Sequence, residues 1–496
     1  MNKILSLFSI ILLFVSCRKD KLELNVREGT HVSNVQIITT ETGTYSPFIG
    51  HVVTDGNKII YVGKEEPKIN GVFQKINGSG KFLIPGMIDS HVHITEVQGM
   101  LPHQMEKYPE LAKEFNVQMP RSYLYNGFTT LINLGGIYEA QLSFFNRQPL
   151  RPDLYHTGRS GVSVANGYPM NFAPEQFRFD AAPNFLYMES EADNIPDKFN
   201  PADHTPKAVV NRIKKSGAIA VKSYYESGFR GMSKLPVPTK SIMKALIHES
   251  HANQLPLTVH GNSLEAHSFL SEMGVDVIAH GLWNWEKYKD VPLDSLPAEI
   301  KKVLDLQIRK QIGYTPTLTV IAGEEALADN EFLKDPQLKK VVPHKMLEWY
   351  KTEEGQWFAN ELFMDYSSAE IHEIYGNIQA HAMLALKYLS DNGGLILFGT
   401  DTPSAPTYGN QPGHNGYWEL SLMKKAGVPL DKILSSATIN NAKTFHLDSL
   451  GSLAKGKRAN MMLMTKNPLE EIEAYNTIEK IFLGGVVIDR EDVSVK

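Results

Sequence analysis

The sequence predicts an α/β fold, a (β/α)₈ TIM barrel accompanied by a small β-sandwich domain that both ends of the chain build together. Between residues 85 and 450, short apolar runs alternate with helix-like segments, which is typical of parallel strands joined by crossover helices. Residues 18–84 and 451–496 instead alternate apolar and polar residues in short runs separated by turns. A chain of 496 residues with 42% hydrophobic content can bury such a core, and its length favours a barrel over two separate sheets.

The first 17 residues have the pattern of a signal peptide. Lys3 is followed by an unbroken apolar run over residues 4–15, too short to span a bilayer stably, and then by Ser16 and Cys17. The end of this run resembles a bacterial lipobox, in which the cysteine is lipidated and becomes the new N-terminus. We therefore predict a lipoprotein of the cell envelope, anchored at Cys17 in the bacterial periplasm or at the outer-membrane surface. The alternatives are an ordinary cleaved signal peptide that happens to contain a cysteine, and a cytoplasmic protein with an apolar N-terminus.

Composition excludes several other classes of protein. Cys17 is the only cysteine, so neither an intrachain disulfide nor a cysteine-ligated zinc site can form. The formal net charge of −5 provides no basic field of the kind that holds nucleic acid through its phosphates. With nucleic acid excluded, the predicted partners are a small-molecule substrate and the membrane, the latter through the lipid anchor alone.

The two ends of the chain are predicted to form a small antiparallel β module. Strand-like runs occur at Val35–Ile38, His51–Val53 and Lys58–Val62, separated by glycine and asparagine turns. The same pattern returns at Ala459–Met464 and Ile481–Ile488. Strands from both ends could therefore join in one sheet around the middle of the chain.

Between these ends, buried-strand runs alternate with two clear helical segments, Ile242–Ala252 and Ser263–Met273. A longer charged and helix-prone stretch, residues 327–389, is predicted to be an elaborated helix pair between late strands. The buried-strand runs are Thr129–Ile132, Ala218–Val221, Leu257–Val259, Val277–Ala279 and Leu395–Phe398.

Polar residues that suit a metal ion follow these strand-like runs. His91 and His93 are two residues apart at the end of an apolar strand, so both imidazoles point to one face. Side chains at the C-terminal ends of barrel strands converge on one mouth, which is where such barrels carry out chemistry. Imidazoles and carboxylates without a thiolate favour Zn²⁺, with Mn²⁺, Fe²⁺ or Co²⁺ also chemically suitable. A hydrogen-bonded core histidine is the competing interpretation of each histidine taken singly. The other polar residues that follow predicted strands are Lys222, His260, His280 and Asp401.

Several ordered motifs resemble the amidohydrolase superfamily, in particular its imidazolonepropionase-like and prolidase-like members. The resemblance covers nearly the whole chain after the signal peptide, and it is specific for the superfamily rather than for a substrate. The motifs lie at residues 82–93, 126–136, 259–281, 399–402, 437–442 and 450–460.

The resemblance implies a role for each polar residue at the strand ends. His91 and His93 would bind one metal, His260 and His280 a second, and Asp401 would act as a ligand and proton shuttle. Lys222 matches the lysine that carries a CO₂-derived carbamate bridging both metals in binuclear members. Without that carbamate, a mononuclear site with His91, His93, His260 and Asp401 remains an alternative, in which His280 orients the substrate carbonyl.

The sequence departs from the family pattern at two positions. Asn262 stands where many relatives have a second histidine after the fifth strand, which puts any role of that histidine in doubt. Asn460 stands where aspartate is usual, which we expect to matter only for folding.

Substrate-binding residues are expected in loops at the same end of the barrel. An arginine or tyrosine pair there could hold a substrate carboxylate, although loop packing is an equally good interpretation of each residue. His414, in the segment 413–419, could belong to a lid or to a subunit contact of a homo-oligomer, but a helix-start or solvent-exposed histidine is the simpler interpretation. The candidates for substrate binding are His156, Arg159, Tyr168, Tyr224, Tyr225 and Arg230, with Tyr314, Thr315 and Thr317 near a seventh strand.

These observations predict an amidohydrolase in which metal-activated water attacks a C–N bond and Asp401 and His280 are the catalytic residues. A small amide is expected as substrate, such as an N-acyl amino acid, a dipeptide or a cyclic amide. A deaminase, an imidazolonepropionase-like cyclic-amide hydrolase and a lactonase would use the same site. A catalytically inactive envelope binding protein and a lipoprotein that holds metal only for stability are the alternatives outside catalysis.

Overall fold

The computed structural model describes residues 22–40, 45, 47–228, 234–293, 295–363, 366–403 and 407–496. The predicted signal peptide, the predicted lipidation site Cys17 and the candidate Arg230 lie outside these residues. Within the described ranges, no helix has the length and apolar character needed to cross a membrane.

The described residues form strands at both ends of the chain and alternating strands and helices between them. The strands are β1 (Glu23–Ile37), β2 (Phe48–Asp55), β3 (Lys58–Gly63), β4 (Lys68–Asn77), β5 (Phe82–Pro85), β6 (Met87–Val92), β7 (Phe128–Asn133), β8 (Asp153–His156), β9 (Val221–Tyr224), β10 (Leu257–His260), β11 (Val277–Ala279), β12 (Gly313–Thr315), β13 (Met461–Met464), β14 (Ile478–Leu483) and β15 (Val486–Asp489). The α-helices are α1 (Pro102–Lys107), α2 (Pro109–Tyr125), α3 (Glu139–Asn146), α4 (Arg178–Ala181), α5 (Pro206–Lys215), α6 (Lys240–Ala252), α7 (Leu264–Met273), α8 (Ala298–Lys310), α9 (Leu318–Glu325), α10 (Leu338–Val341), α11 (His344–Trp349), α12 (Trp357–Leu362), α13 (Ser368–Asp391), α14 (His414–Lys425), α15 (Leu430–Ser435) and α16 (Asn441–Thr444).

Strands from both ends of the chain share one sheet, in the order β15-β14-β13-β5-β1-β2-β3, with β4 also paired to β1. The two ends meet where β5 and β13 pair antiparallel, with Leu83 opposite Leu463. The sheet is not purely antiparallel as predicted, because β1 pairs parallel with β4 and with β5. β1 is 15 residues long and can serve several partners, and the β2–β3 hairpin returns the chain so that β4 runs alongside β1 in the same direction. The closing of this sheet into a sandwich stays a prediction.

The middle of the chain forms two parallel sheets, β6-β7-β8 and β9-β10-β11-β12. Residues outside the strands link the two sheets. Val162, after β8, donates from N to Lys222 O at 2.7 Å, and the segment 395–398 accepts from Ser90 N of β6 at 3.1 Å and from Tyr314 N of β12 at 2.9 Å. The predicted strand Leu395–Phe398 forms only an isolated bridge, between Ile396 and Tyr314, instead of a regular strand. Mixed α/β architecture is therefore established, and closure into an eight-stranded barrel stays a prediction.

The two predicted helices correspond to α6 and α7. Each begins at a hydroxyl that caps the helix, since the side chains of Thr239 and Ser263 accept hydrogen bonds from the N–H groups of Ile242 and Ala266. Gly274, with φ of +80°, ends α7 in the left-handed conformation that glycine adopts without steric cost.

The stretch 327–389 differs from the predicted helix pair. It contains three short helices, α10 to α12, followed by the 24-residue α13. Pro343 directly precedes α11 and breaks the first half of the stretch. α13 is long because Ser367 and Glu370 form a reciprocal capping box at its start.

Candidate metal centre

Four of the predicted ligands converge where parallel strands end. His91 lies in β6 and His93 directly follows it, so the two side chains share one face of the sheet. His280 directly follows β11. Asp401 directly precedes Thr402, which forms a parallel β-bridge with Val92 at the end of β6. We name His91, His93, Lys222, His260, His280 and Asp401 the mouth cluster.

Asp401 is the centre of this cluster. Its Oδ1 lies 2.8 Å from Nε2 of His91 and 2.8 Å from Nε2 of His93, and its Oδ2 lies 4.0 Å from Nδ1 of His280. Ligand atoms of His91, His280 and Asp401 all lie within 4.8 Å of one another. All three residues are buried, so the arrangement is enclosed by protein.

His260 and Lys222 complete the cluster on the side of β9 and β10. The ring of His260 lies 4.5 Å from that of His280, centroid to centroid. Lys222 is 2% exposed, and its ammonium lies 5.6 Å from the centre of the Tyr224 ring. In the described part of the chain, Lys222 Nζ and Nδ1 of His91 are buried without a hydrogen-bond partner, while Nε2 of His91 and Nε2 of His260 each lie beside a carboxylate oxygen, at 2.8 Å and 3.5 Å.

The electrostatics of the mouth cluster favour neutral imidazoles at His91 and His280, whereas for His93 the hydrogen bond and the charge of Asp401 outweigh burial and raise the pKa. Burial lowers the pKa of His91 to about 3 and holds the pKa of His280 well below its usual value. Burial also lowers the pKa of Lys222 to about 8. Burial alone would raise the pKa of Asp401, but its interactions with His91 and His280 outweigh that effect and hold the pKa low. His91 and His280 therefore supply neutral nitrogen donors and Asp401 an anionic oxygen donor, which is the form that binds a divalent cation.

Backbone strain accompanies these side chains. His280, Thr317 and Asp401 have φ values of +86°, +42° and +61°, in a region that residues other than glycine rarely adopt. Such conformations cost about 1–3 kcal/mol each and persist where the surrounding structure enforces them. Strained backbone conformations at three residues around one site are typical of a functional centre.

Two glycines allow neighbouring backbone to approach the histidines. A Cβ atom at Gly399 would lie 2.8 Å from the Cβ of His91, and one at Gly135 would lie 2.6 Å from Nδ1 of His93. A larger residue at either position would displace a predicted ligand. Both glycines lie inside the motifs that resemble the amidohydrolase superfamily, but only the folded chain shows that they contact the two histidines.

Three acidic residues at the site had not been assigned a role from the sequence. Glu226 Oε2 lies 3.5 Å from Nε2 of His260, and both residues are buried. Asp89 accepts hydrogen bonds from His91 N at 3.1 Å and from Thr400 Oγ1 at 2.6 Å, and burial raises its pKa to about 7. An acidic residue two positions before His91, in a run that begins with apolar residues, was the available signal for Asp89.

Glu419 is the third such residue, and it orders the backbone beside His280. The two oxygens of this buried carboxylate accept from Leu318 N at 3.0 Å and from Thr319 N at 2.8 Å, at the start of α9. The preceding residue, Thr317, places its Oγ1 3.0 Å from Nδ1 of His280. Glu419 therefore positions His280 through α9, which spacing along the sequence could not reveal.

The predicted substrate residues fall into two groups. Tyr168 stacks on His260 with ring centroids 4.7 Å apart and contacts Tyr224 edge-on, so both tyrosines border the mouth cluster. Tyr225 instead donates to Glu265 and packs against Phe269 of α7.

The remaining candidates have other contacts. Arg159 is exposed and lies over the ring of Tyr138, 5.0 Å from its centre, and His156 accepts from Gly158 N at 3.1 Å. Tyr314 is buried and accepts from Leu282 N, and Thr315 ends β12. His414 begins α14 and lies 3.0 Å from a carboxylate oxygen of Asp335, in agreement with the helix-start interpretation.

The donor set suits a divalent metal. Four imidazoles and one carboxylate, with no thiolate, match the ligands of zinc and similar ions. The buried atoms of His91 and Lys222 without hydrogen-bond partners among the described residues are the atoms that bound ions would satisfy. The mouth cluster therefore fits a metal on both chemical and steric grounds.

Comparisons with known proteins identify a family and related folds. A family model described as "Amidohydrolase family" matches residues 82–488. Among solved structures, a prolidase complexed with N-methylphosphonate-L-proline is 18% identical with a TM-score of 0.65, over 93% of this chain and 99% of that chain. A Xaa-Pro dipeptidase with bound methionine is 20% identical with a TM-score of 0.60, over 93% and 99%. Ochratoxinase from A. niger is 16% identical with a TM-score of 0.62, over 94% and 96%. Comparison with curated proteins found no match.

Proposed function

This chain belongs to the amidohydrolase family, and on that premise we propose that it hydrolyses a C–N bond of a small amide with the help of bound divalent metal. The observation that carries the proposal is the buried group of His91, His280 and Asp401, whose ligand atoms lie within 4.8 Å of one another. The proposal includes closure of the parallel strands into a (β/α)₈ barrel, with a β-sandwich formed by the two ends of the chain.

In this proposal His91, His93 and Asp401 would hold one metal, and His260 and His280 would hold a second. Lys222, once carbamylated, would supply a further anionic oxygen ligand. Carbamylation joins the neutral amine to CO₂ with loss of one proton, which turns a buried cation without a hydrogen-bond partner into an anionic ligand. The lowered pKa of Lys222, about 8, supplies the neutral amine that this reaction requires. Zinc suits this donor set best, with Mn²⁺, Fe²⁺ and Co²⁺ as chemical alternatives.

A divalent cation supplies Lewis acidity, which lowers the pKa of water towards neutrality and polarises a carbonyl group. The protein contributes position and proton transfer. Asp401, held by His91 and His93 at 2.8 Å each, is the group placed to carry a proton to the departing nitrogen. Asp89 fixes the neighbouring backbone by binding both His91 N and Thr400, so Asp401 keeps one orientation.

The substrate class follows from the side chains that border the mouth cluster. Tyr168 and Tyr224 offer hydroxyl donors beside His260, and Trp283 packs its ring 5.1 Å from that of His280. An apolar wall with a few hydroxyl donors suits a small amide with an apolar portion and a carboxylate. The similarity to a prolidase and a Xaa-Pro dipeptidase favours dipeptides and N-acyl amino acids as the first substrates to test.

The test combines metal content with hydrolysis. We expect the purified protein to hold about two equivalents of divalent metal and to cleave members of a panel of dipeptides, N-acyl amino acids and cyclic amides. An Asp401→Asn variant is expected to fold but to hydrolyse none of them at a comparable rate. Failure to bind metal after reconstitution with zinc and bicarbonate would refute the proposal. Release of ammonia without cleavage of an amide would instead identify a deaminase, and cleavage of lactones alone would identify a lactonase.

We also infer a lipid-anchored location in the cell envelope, on the sequence of residues 1–17 alone. The full chain is expected to partition into the membrane fraction of bacterial cells, and a Cys17→Ala variant into the soluble fraction. Equal partitioning of the two would contradict lipidation at Cys17.

A further inference from the structure

A second group of buried histidines lies in the sheet formed by the chain ends, away from the parallel strands. His31 of β1 lies opposite Val53 of β2, and His51 precedes Val53 by two residues. Their side chains are therefore diagonal neighbours on one face of the sheet. His31 is 2% exposed and His51 is 6% exposed, although polar residues are uncommon in the interior. We name His31 and His51 the sheet pair.

The spacing of the sheet pair suits two ligands of one ion. Nε2 of His31 lies 3.2 Å from Nδ1 of His51. Zinc–nitrogen distances of about 2.0–2.1 Å place two nitrogens of a tetrahedral shell about 3.4 Å apart. An ion can therefore insert between the two rings with a shift of a few tenths of an ångström.

A carboxylate completes a set of three ligands. Glu66 lies in the connection between β3 and β4, and one of its carboxylate oxygens falls within 4.8 Å of the ligand nitrogens of both histidines. The Glu66 side chain is 44% exposed, so rotating it towards the sheet pair displaces no packed neighbour. An ion bound here would link β1, β2 and the connection between β3 and β4, because each of these segments contributes one ligand.

Lys75 supports this arrangement of Glu66. It lies directly opposite His31 on the parallel strand β4, and its Nζ is 2.9 Å from Oε1 of Glu66. A carboxylate has two oxygens, so the ion pair orients Glu66 and leaves a second oxygen for a cation. The positive charge of Lys75 opposes a cation at this position, so we expect weaker binding here than at the mouth cluster.

The structure assigns to His31, His51 and Glu66 a further metal site, which takes Zn²⁺ or a similar borderline divalent cation with water as the fourth ligand. Two imidazoles and one carboxylate are a common three-residue zinc set. The site lies in the small sheet and contributes no residue to the mouth cluster. Its expected role is to stabilise the sheet, since an ion that binds only the folded state raises stability.

Zinc binding by the full chain tests this assignment without depending on the proposed function. Metal-free protein is titrated with Zn²⁺, and bound zinc is measured after removal of free metal. We expect the wild type to hold one equivalent more than a His31→Gln, His51→Gln variant, while both hydrolyse the same substrates at the same rate. His248→Gln, which removes an exposed imidazole of α6, is the matched control and is expected to bind as the wild type does.

A second variant covers the case in which the double variant does not fold. Glu66 is exposed, so Glu66→Gln is expected to fold and to weaken the binding of that one equivalent at least about 10-fold. Equal zinc content and equal affinity in the wild type, Glu66→Gln and a folded double variant would overturn the assignment. So would loss of the same equivalent in His248→Gln, because the zinc would then be held by surface histidines.

Discussion

The mouth cluster and the sheet pair both bury histidines, but they differ in how the imidazoles are satisfied. In the mouth cluster, Nδ1 of His91 and Nζ of Lys222 are buried with no hydrogen-bond partner among the described residues, and Nε2 of His91 has only a carboxylate oxygen of Asp401 beside it. In the sheet pair, His31 and His51 contact each other at 3.2 Å. A buried polar atom without a hydrogen bond costs about 1–3 kcal/mol, so several in one place destabilise the protein considerably unless something binds there.

We therefore expect the mouth cluster to be destabilised without bound metal and the sheet pair to be stable without it. The mouth cluster adds three strained backbone conformations to its unsatisfied nitrogens. The sheet pair lies within regular strands and keeps its nearest carboxylate, Glu66, in an ion pair at the surface. Removal of metal should therefore affect the first site far more than the second.

The largest expected effect comes from removing ligands of the mouth cluster. A His91→Asn, His93→Asn variant should lose bound metal and hydrolyse substrate more than about 100-fold more slowly, since even residues that merely support metal ligands contribute about 10–100-fold. Elemental analysis and initial rates measure the two effects. Retention of full metal content in this variant would show that the metal ions are bound elsewhere, so the mouth cluster would not be the metal centre.

Lys222 provides the sharpest test of the contrast, because its effects on stability and activity should have opposite signs. Replacing this buried cation by methionine should leave the metal-free protein at least as stable as the wild type, since a buried charge without a partner costs free energy that an apolar side chain does not. The same variant should lose activity together with the carbamate. Urea denaturation of metal-free protein measures the first effect, and a fall in stability would show that the Lys222 ammonium is already satisfied.

Glu419→Gln should have an intermediate effect. Glutamine keeps one acceptor oxygen for the two N–H groups at the start of α9, so the free energy of unfolding should fall by about 1–3 kcal/mol. Because α9 positions Thr317 against His280, kcat should fall while KM and metal content stay near those of the wild type. A variant that loses stability with an unchanged kcat would assign Glu419 a purely structural role.

The smallest expected effect lies at the junction between the parallel strands and the small sheet. Asn460 donates from Nδ2 to Asp153 at 2.9 Å and accepts from Gly484 N at 2.7 Å, while Arg458 forms two hydrogen bonds with the same aspartate. Asn460→Asp would place two carboxylates together and lower the free energy of unfolding by about 1–2 kcal/mol without a change in metal content. Adding Asp153→Asn should recover part of the loss, and no recovery would show that the two side chains are not coupled.

Most residues of the mouth cluster could be predicted because they lie in or directly after buried runs of sequence, although Lys222 lies inside β9 and not after a strand at Ala218–Val221 as predicted. His91, His260 and His280 lie where a run of buried residues ends, and this local pattern survives in the fold. The mixed α/β architecture could be predicted for the same reason, since alternating strands and helices are visible within short windows, whereas the barrel and the sandwich stay predictions.

Other features depend on contacts between distant residues, which no local pattern records. Glu419 acts on residues about 100 positions earlier in the chain, at the start of α9. His31 and His51 each look like a lone polar residue in a strand until β1 and β2 pair in register. The departure at Asn460 could be noticed from the sequence, but its hydrogen bonds to Asp153 and Gly484 explain it only in the folded chain.

The strands β5 and β6 are separated only by Gly86, whose N–H donates to Asn460 O at 2.9 Å. β5 pairs with β13, so the strand that carries His91 is anchored by a segment synthesised near the end of the chain. A nascent chain that lacks its last 36 residues has the sequence of every ligand but lacks β13 beside β5. Without β13 beside β5, the strand that carries His91 lacks this anchor, so the centre depends on a segment that contributes none of its ligands.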